Sequence, residues 1–183
     1  EEGEEEYSEE FLRRSRTVKM TVEKSEELTY GLLARANKAE RPERVMLEYN
    51  GTWPLENLLR MEWPAGWGIA QIISPVNAQT FDLYIKNMRQ MMVEQLQNSD
   101  LIVFNRCTDD TPVTVYWRNM KMINRGAMLI FEKEGGDVIE VKGEDVLPYD
   151  LNAPVIDIAD DDFGIWYVDA MENPERYEGK TVH

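Results

Sequence analysis

The sequence predicts an α/β fold of three layers, a mostly parallel sheet with helices on both faces and an antiparallel hairpin at one edge. Two patterns lead to that expectation. Short apolar runs recur along the chain, too brief and too uniform for amphipathic helices, and they read as strands buried on both sides. Between them lie segments whose apolar residues return every three or four positions, the period of a helix with one inward face. Strands alternating with such helices pair in parallel through helical crossovers.

The first such unit is the β-favouring run 17–22, followed by Ser25 with Glu26 and Glu27, a capping residue and two acids in a first helical turn, and Leu28, Leu32, Leu33 and Ala36 at helical spacing. Residues 45–47 and 69–73 are buried-strand runs. Thr80 then caps one long helix whose stripe is Phe81, Tyr84, Ile85, Met88, Met91, Met92 and Leu96. Residues 101–104 form the third run. Thr111 and Pro112 supply a cap and a first-turn proline for a helix that turns Val113, Tyr116, Trp117, Met120 and Ile123 inward. The fourth run, 127–131, turns at Gly135 and Gly136 into an antiparallel edge strand at 138–141. Beyond Gly143 the periodicity fades into a connector containing Asp160, Asp161 and Asp162, before a last short helix around 168–176.

Composition bounds the function. The chain has 183 residues with 20 Lys and Arg against 35 Asp and Glu, a net charge of −15. With 43% hydrophobic residues it has enough apolar material for one packed domain, so the expected division is an acidic segment 1–16, a core domain 17–143, and a connector with the start of a C-terminal module at 144–183. A field of that sign repels nucleic acid and anionic membrane surfaces. The single cysteine, Cys107, excludes an internal disulfide framework, and no apolar run approaches the roughly 18 residues of a membrane span, so a cytoplasmic protein without membrane insertion is expected. The chain opens without Met on a Glu-rich stretch and stops at Thr181, Val182 and His183 in what reads as mid-element. It reads as a fragment.

Ligands of open α/β sheets bind beyond the carboxyl ends of the strands. There the chain places Glu48 to Gly51, Asn77, and Asn105 through Asp110. Residues 45–51 carry Glu-x-x-Gly; residues 75–81 read Pro-Val-Asn-Ala-Gln-Thr-Phe; residues 95–106 join Gln95 and Asp100 to Asn105 and Arg106 across an apolar run; residues 123–127 read Ile-Asn-Arg-Gly-Ala. In this order and spacing, from about residue 17 to 141, the chain resembles the CobW/HypB/UreG family of P-loop GTPases. The resemblance implies binding of GTP with Mg²⁺, coupled to metal-ion delivery or metalloenzyme maturation, with a metalloprotein as client. On it Asn105 is the purine-reading residue, with Arg106 beside it and Asp109 reaching the base from a bulged loop. Glu48 stands near the γ-phosphate to orient Mg²⁺ or the attacking water, and Gly51 lets the backbone approach the phosphate.

The chain departs from that family's pattern at several places. Arg106 replaces a Lys, Thr108 stands where an Asp is expected, and Asn77 replaces another Asp. No G-x-x-x-x-G-K-[ST] loop precedes the sheet. Gly179, Lys180 and Thr181 are a decoy, with Pro174 at the first-glycine position and no apolar strand ahead. A transition metal finds no ligand set, since Cys107 and His183 are the only soft donors. Residues 169–182 resemble the lead-in to the small β-barrel of YcgQ-type permease subunits.

The expected function is therefore a GTP-binding, GTPase-like domain of a metal-handling or metallochaperone-type protein, with hydrolysis only in a complete protein. The alternative is a non-catalytic interaction or regulatory module associated with a membrane permease.

Overall fold

A computed structural model describes residues 7–141 and 147–183; the acidic opening and the stretch around Gly143 lie outside the described residues. The chain divides into two units, Glu1–Ala70 and Gln71–His183.

The described part of the first unit is helical. α1 (Glu9–Arg14) begins at Ser8, whose Oγ accepts from the Phe11 N–H at 3.2 Å, and carries its acids in the first turn and its arginines in the last. A single 3₁₀ turn follows at Ser25–Glu27. α2 (Tyr30–Glu40) starts at Thr29, which accepts from the Leu32 N–H, and ends at Arg41 in the left-handed region. α3 (Leu55–Leu59) opens after Pro54. Leu33, Leu55, Leu58 and Pro64 are buried among the described residues of this unit.

Three expectations are corrected here. The helix starts at Tyr30 under a Thr29 cap, and Ser25 only opens the 3₁₀ turn. Residues 17–22 and 45–47 are not strands. Val18 is 65% exposed and Met46 85% exposed, so neither run has the buried setting that gives β-favouring side chains their advantage. Backbone groups left without a ladder partner are satisfied by water only at the surface, which is where these runs lie.

The second unit holds the sheet. Its elements are β1 (Ile73–Asn77), α4 (Phe81–Asn87), α5 (Arg89–Gln97), β2 (Leu101–Cys107), α6 (Val113–Ile123), β3 (Met128–Lys133) and β4 (Val138–Ile139). They are followed by β5 (Val155–Ile156), α7 (Phe163–Glu172) and β6 (Thr181–Val182). The order is β1-β2-β3-β4, parallel except for the β3–β4 hairpin, and β5 pairs with β6 in a separate parallel pair. The mostly parallel open sheet with an antiparallel edge is thus as expected.

β1 begins at Ile73, four residues later than the apolar run suggested, and contains Pro75. Proline fits because β1 is an edge strand: a nitrogen aimed outward needs no hydrogen to give. The preceding Ile72 donates its N–H to the Asp100 carboxylate at 2.7 Å instead.

The expected single helix over residues 81–96 is two helices, broken at Met88 (φ −130°, ψ 37°). Neither Pro nor Gly is responsible. The Asn87 side-chain amide donates to the Leu83 carbonyl at 2.7 Å, adding a rival donor to the helical ladder at the break.

The helices of both crossovers, α4 and α6, pack on the same face of this sheet. The Phe104 ring lies 5.1 Å from that of Phe81 at the start of α4 and 5.3 Å from that of Tyr116 in α6, so both crossovers share the face to which Phe104 points. It also stacks on Phe131 of β3 at 5.0 Å. Ile102, Phe104, Phe131, Leu96 and Met120 are almost wholly removed from water and form the centre of the core. Strand residues of opposite parity fare differently. Ile73 pairs with Leu101 and Leu101 with Met128, yet Ile73 is 53% and Met128 65% exposed. A uniformly apolar run signals burial on two faces, but Leu101 and Val103 are only half-buried, so the apolar residues outnumber the faces the helices of this unit cover.

Three boundaries also shift. Pro112 itself stands at the start of α6 without a side-chain cap, because Thr111 Oγ1 accepts instead from the Thr108 N–H at 2.8 Å. The edge strand is confined to Val138–Ile139. The last helix runs Phe163–Glu172 and is cut off by Pro174, which opens a 3₁₀ turn through Tyr177.

Candidate functional site

The carboxyl end of β2 is irregular in a way that concentrates polar groups. Phe104 pairs with Phe131 and Cys107 with Lys133, leaving Asn105 and Arg106 opposite the single residue Glu132. This is a bulge. Arg106 adopts φ 56°, a conformation that costs a residue with a Cβ roughly 1–2 kcal/mol. Such strain persists where surrounding contacts fix it. Here the Asn105 carbonyl accepts from the Ala78 N–H at 3.0 Å, and the Arg106 carbonyl from the Gln79 side chain at 3.4 Å. Gln79 in turn donates its own N–H to Asn77 Oδ1, so the ends of β1 and β2 are tied together.

Asn105 carries an unmet demand. Its Oδ1 is buried and accepts no hydrogen bond, one of three such side-chain atoms among the described residues with Arg118 Nε and Trp166 Nε1. An orphaned acceptor of this kind costs about 1–3 kcal/mol.

Beyond the bulge the chain turns at residues 108–111, where the Thr111 N–H donates to the Thr108 carbonyl at 3.1 Å. That turn places Asp109 against Lys133 of β3, with Nζ 2.5 Å from Oδ1. The Lys133 ammonium holds the Asp109 carboxyl below the usual carboxylate range, and Asp109 raises the Lys133 ammonium above its own. The pair sits at the mouth of a cavity of about 360 Å³ between this loop and the β3–β4 hairpin, with Val113, Val138 and Ile139 as apolar lining and the hydroxyls of Thr108 and Thr111 beside them.

The site residues expected from the sequence are thus distributed unevenly. Asp109 lines the cavity; Asn105 and Arg106 lie on the strand that leads to it and outside its lining. Glu48 and Gly51 belong to the first unit, where Glu48 is an exposed loop residue and Gly51 lies in the turn closed by the Trp53 N–H on the Asn50 carbonyl. Lys133 was not singled out by the sequence. Its only signal is a charged residue ending an apolar strand, which many strands share.

Cys107 is unsuited to covalent chemistry: burial pushes its thiol up, and Sγ donates to the Phe104 carbonyl at 3.4 Å. Asn124, in the Ile-Asn-Arg-Gly-Ala step, is structural, with its side chain bonded to backbone at both ends of the α5–β2 connection and at Ala127. Gly179, Lys180 and Thr181 run from a 3₁₀ turn into β6, so the helix that a phosphate loop needs after its Lys is replaced by a strand.

Compared with family models, with curated proteins and with solved structures, the chain has no match in any of the three.

Among the described residues no three His, Cys, Asp or Glu side chains converge as a metal site. Mg²⁺ and a transition metal therefore find no donor set in what is described, and Glu48 does not stand with other acids. No helix among the described residues is long and apolar enough to cross a membrane.

Proposed function

We propose that this chain binds a guanine nucleotide by its base at the carboxyl rim of the sheet, as a GTPase-like domain of P-loop NTPase type in a cytoplasmic metal-handling protein. The observation that carries the reading is the buried, unpartnered Oδ1 of Asn105 at the bulged end of the central strand. It supplies an acceptor with no donor where open α/β sheets hold their ligands. Asp109 and the adjoining cavity give a second acceptor and room for a ring. Hydrolysis is no part of the proposal for these residues, because neither a phosphate loop nor a Mg²⁺ donor set is among those described.

Titration calorimetry with GTP and ATP tests the reading. Asn105→Ala weakens GTP by about tenfold and ATP less, since a hydrogen-bonding base site discriminates through its unpaired groups. Equal loss for both nucleotides removes Asn105 from the base.

The second reading, an interaction or regulatory module associated with a membrane permease, is favoured by the exposed Ile73 and Met128, which share a register position through Leu101 on the sheet. Steady magnesium-dependent GTP turnover would rule it out.

A further inference from the structure

We propose that Lys133 is a specificity-determining residue of this cavity, reading a base carbonyl beside Asp109, so that the site selects purines with an N–H next to a C=O. The inference rests on the nucleotide-binding reading above and deepens it.

Lys133 and Asp109 come from different parts of the fold, the end of β3 and the loop after β2, and meet at 2.5 Å at the cavity mouth. An ionised carboxylate only accepts and an ammonium only donates. Side by side they present an acceptor and a donor with fixed polarity. The edge that answers them carries a donor facing Asp109 and an acceptor facing Lys133. Guanine offers N1–H and N2–H to the carboxylate and O6 to the ammonium. Hypoxanthine keeps N1–H and O6 but lacks the 2-amino group. Adenine reverses the edge: the N1 lone pair would face the carboxylate and the 6-amino hydrogens the ammonium, so both contacts turn repulsive.

Val113, Val138 and Ile139 give the lining apolar surface for a flat ring, Asp137 adds a second carboxylate near Lys133, and about 360 Å³ lies at the low end of the roughly 300–1,000 Å³ of small-molecule sites. That is space for a base more than for a whole nucleotide. Lys133 is 40% and Asp109 90% exposed at the side chain, so both reach the mouth where a base would enter.

The test uses the 183-residue chain, labelled with ¹⁵N and titrated with GMP, IMP and AMP. In the unmodified chain the amide shifts move at residues 108–111 and 133–139, with GMP bound most tightly, IMP next and AMP least. Lys133→Met weakens GMP and IMP by about tenfold, the scale of one charge-assisted hydrogen bond, and does not weaken AMP, whose 6-amino group loses a repulsive neighbour. Lys133→Arg keeps a cationic donor and stays within about threefold of the parent. GMP binding at these residues with equal strength in the parent and Lys133→Met overturns the role of Lys133 and leaves the base site standing. No binding of any of the three by the parent overturns the nucleotide reading, and this inference with it.

Discussion

The side-chain nitrogen of Asn124 lies 2.7 Å from the carbonyl oxygen of Ser99, and the same nitrogen is 2.9 Å from the carbonyl of Leu96. Its Oδ1 accepts from the Ala127 N–H at 3.1 Å. One side chain thereby closes the end of α5 onto the start of β3, satisfying carbonyls that a helix end leaves without partners.

Replacing it with alanine removes all these bonds at once and takes its side-chain donor from the part-buried Ser99 carbonyl, while the Leu96 carbonyl keeps the Ser99 N–H at 3.3 Å. Asn124→Ala is expected to lower stability by about 2–3 kcal/mol. Urea unfolding checks this through a lower midpoint at unchanged slope; a loss under about 0.5 kcal/mol, the range of an ordinary surface change, would show that water takes over the carbonyls.

Alkaline stability is expected to depend on Tyr116. Burial, with the nearby Asp82 carboxylate acting in the same direction, pushes its hydroxyl up to about 12 from 10.0. The folded value lies above the unfolded one, so the contribution is complete below pH 10 and is lost as pH rises through about 12. Urea midpoints measured from pH 8 to 11.5 should fall on the alkaline side, and Tyr116→Phe should flatten that fall. Identical profiles would assign the alkaline loss to other groups.

Asp109 titrates the other way. Lys133 depresses its carboxyl, so the pairing is present above the ordinary value of 3.8 and is lost as pH falls through the lowered one. Carboxyl ¹³C shifts should place the Asp109 midpoint below 3.8 and return it toward that value in Lys133→Met. An unchanged midpoint in the variant would mean the two side chains do not pair in solution.

Arg41 ends α2 at φ 47°, where glycine is the residue without a steric penalty. Arg41→Gly should stabilise the chain by about 1 kcal/mol. Destabilisation in thermal or urea unfolding would show that the arginine side chain makes a contact worth more than the strain.

How much of this was legible in the sequence depends on where each signal is stored. The runs 101–104 and 127–131 told their elements but not which residues face inward, because a uniformly apolar run carries no alternation, whereas the stripe through Tyr116 and Met120 told both, because helical period is local. Residues 17–22 and 45–47 misled because a strand depends on a partner that local composition does not contain. The break at Met88 was hidden for a different reason: the apolar stripe continues across it, and only the Asn87 amide marks the place. Of the candidate site, strand-end reasoning found Asn105 and Asp109. It could not find Lys133, whose significance lies in a meeting 24 residues along the chain from Asp109.

The strand order β1-β2-β3-β4 is also the order of synthesis. Ile73 finds Leu101 after the two helices α4 and α5, and Leu101 finds Met128 after α6 alone, so each strand after β1 emerges from the ribosome with its template already made. Closing successive loops of this modest length carries a small entropic cost at each step. The sheet can therefore assemble as it is translated, with no early strand left waiting beside other nascent chains for a late partner. β5 is the exception: it must wait for Thr181 and Val182 at the far end of the chain, so the small second pair is expected to form last and to open first.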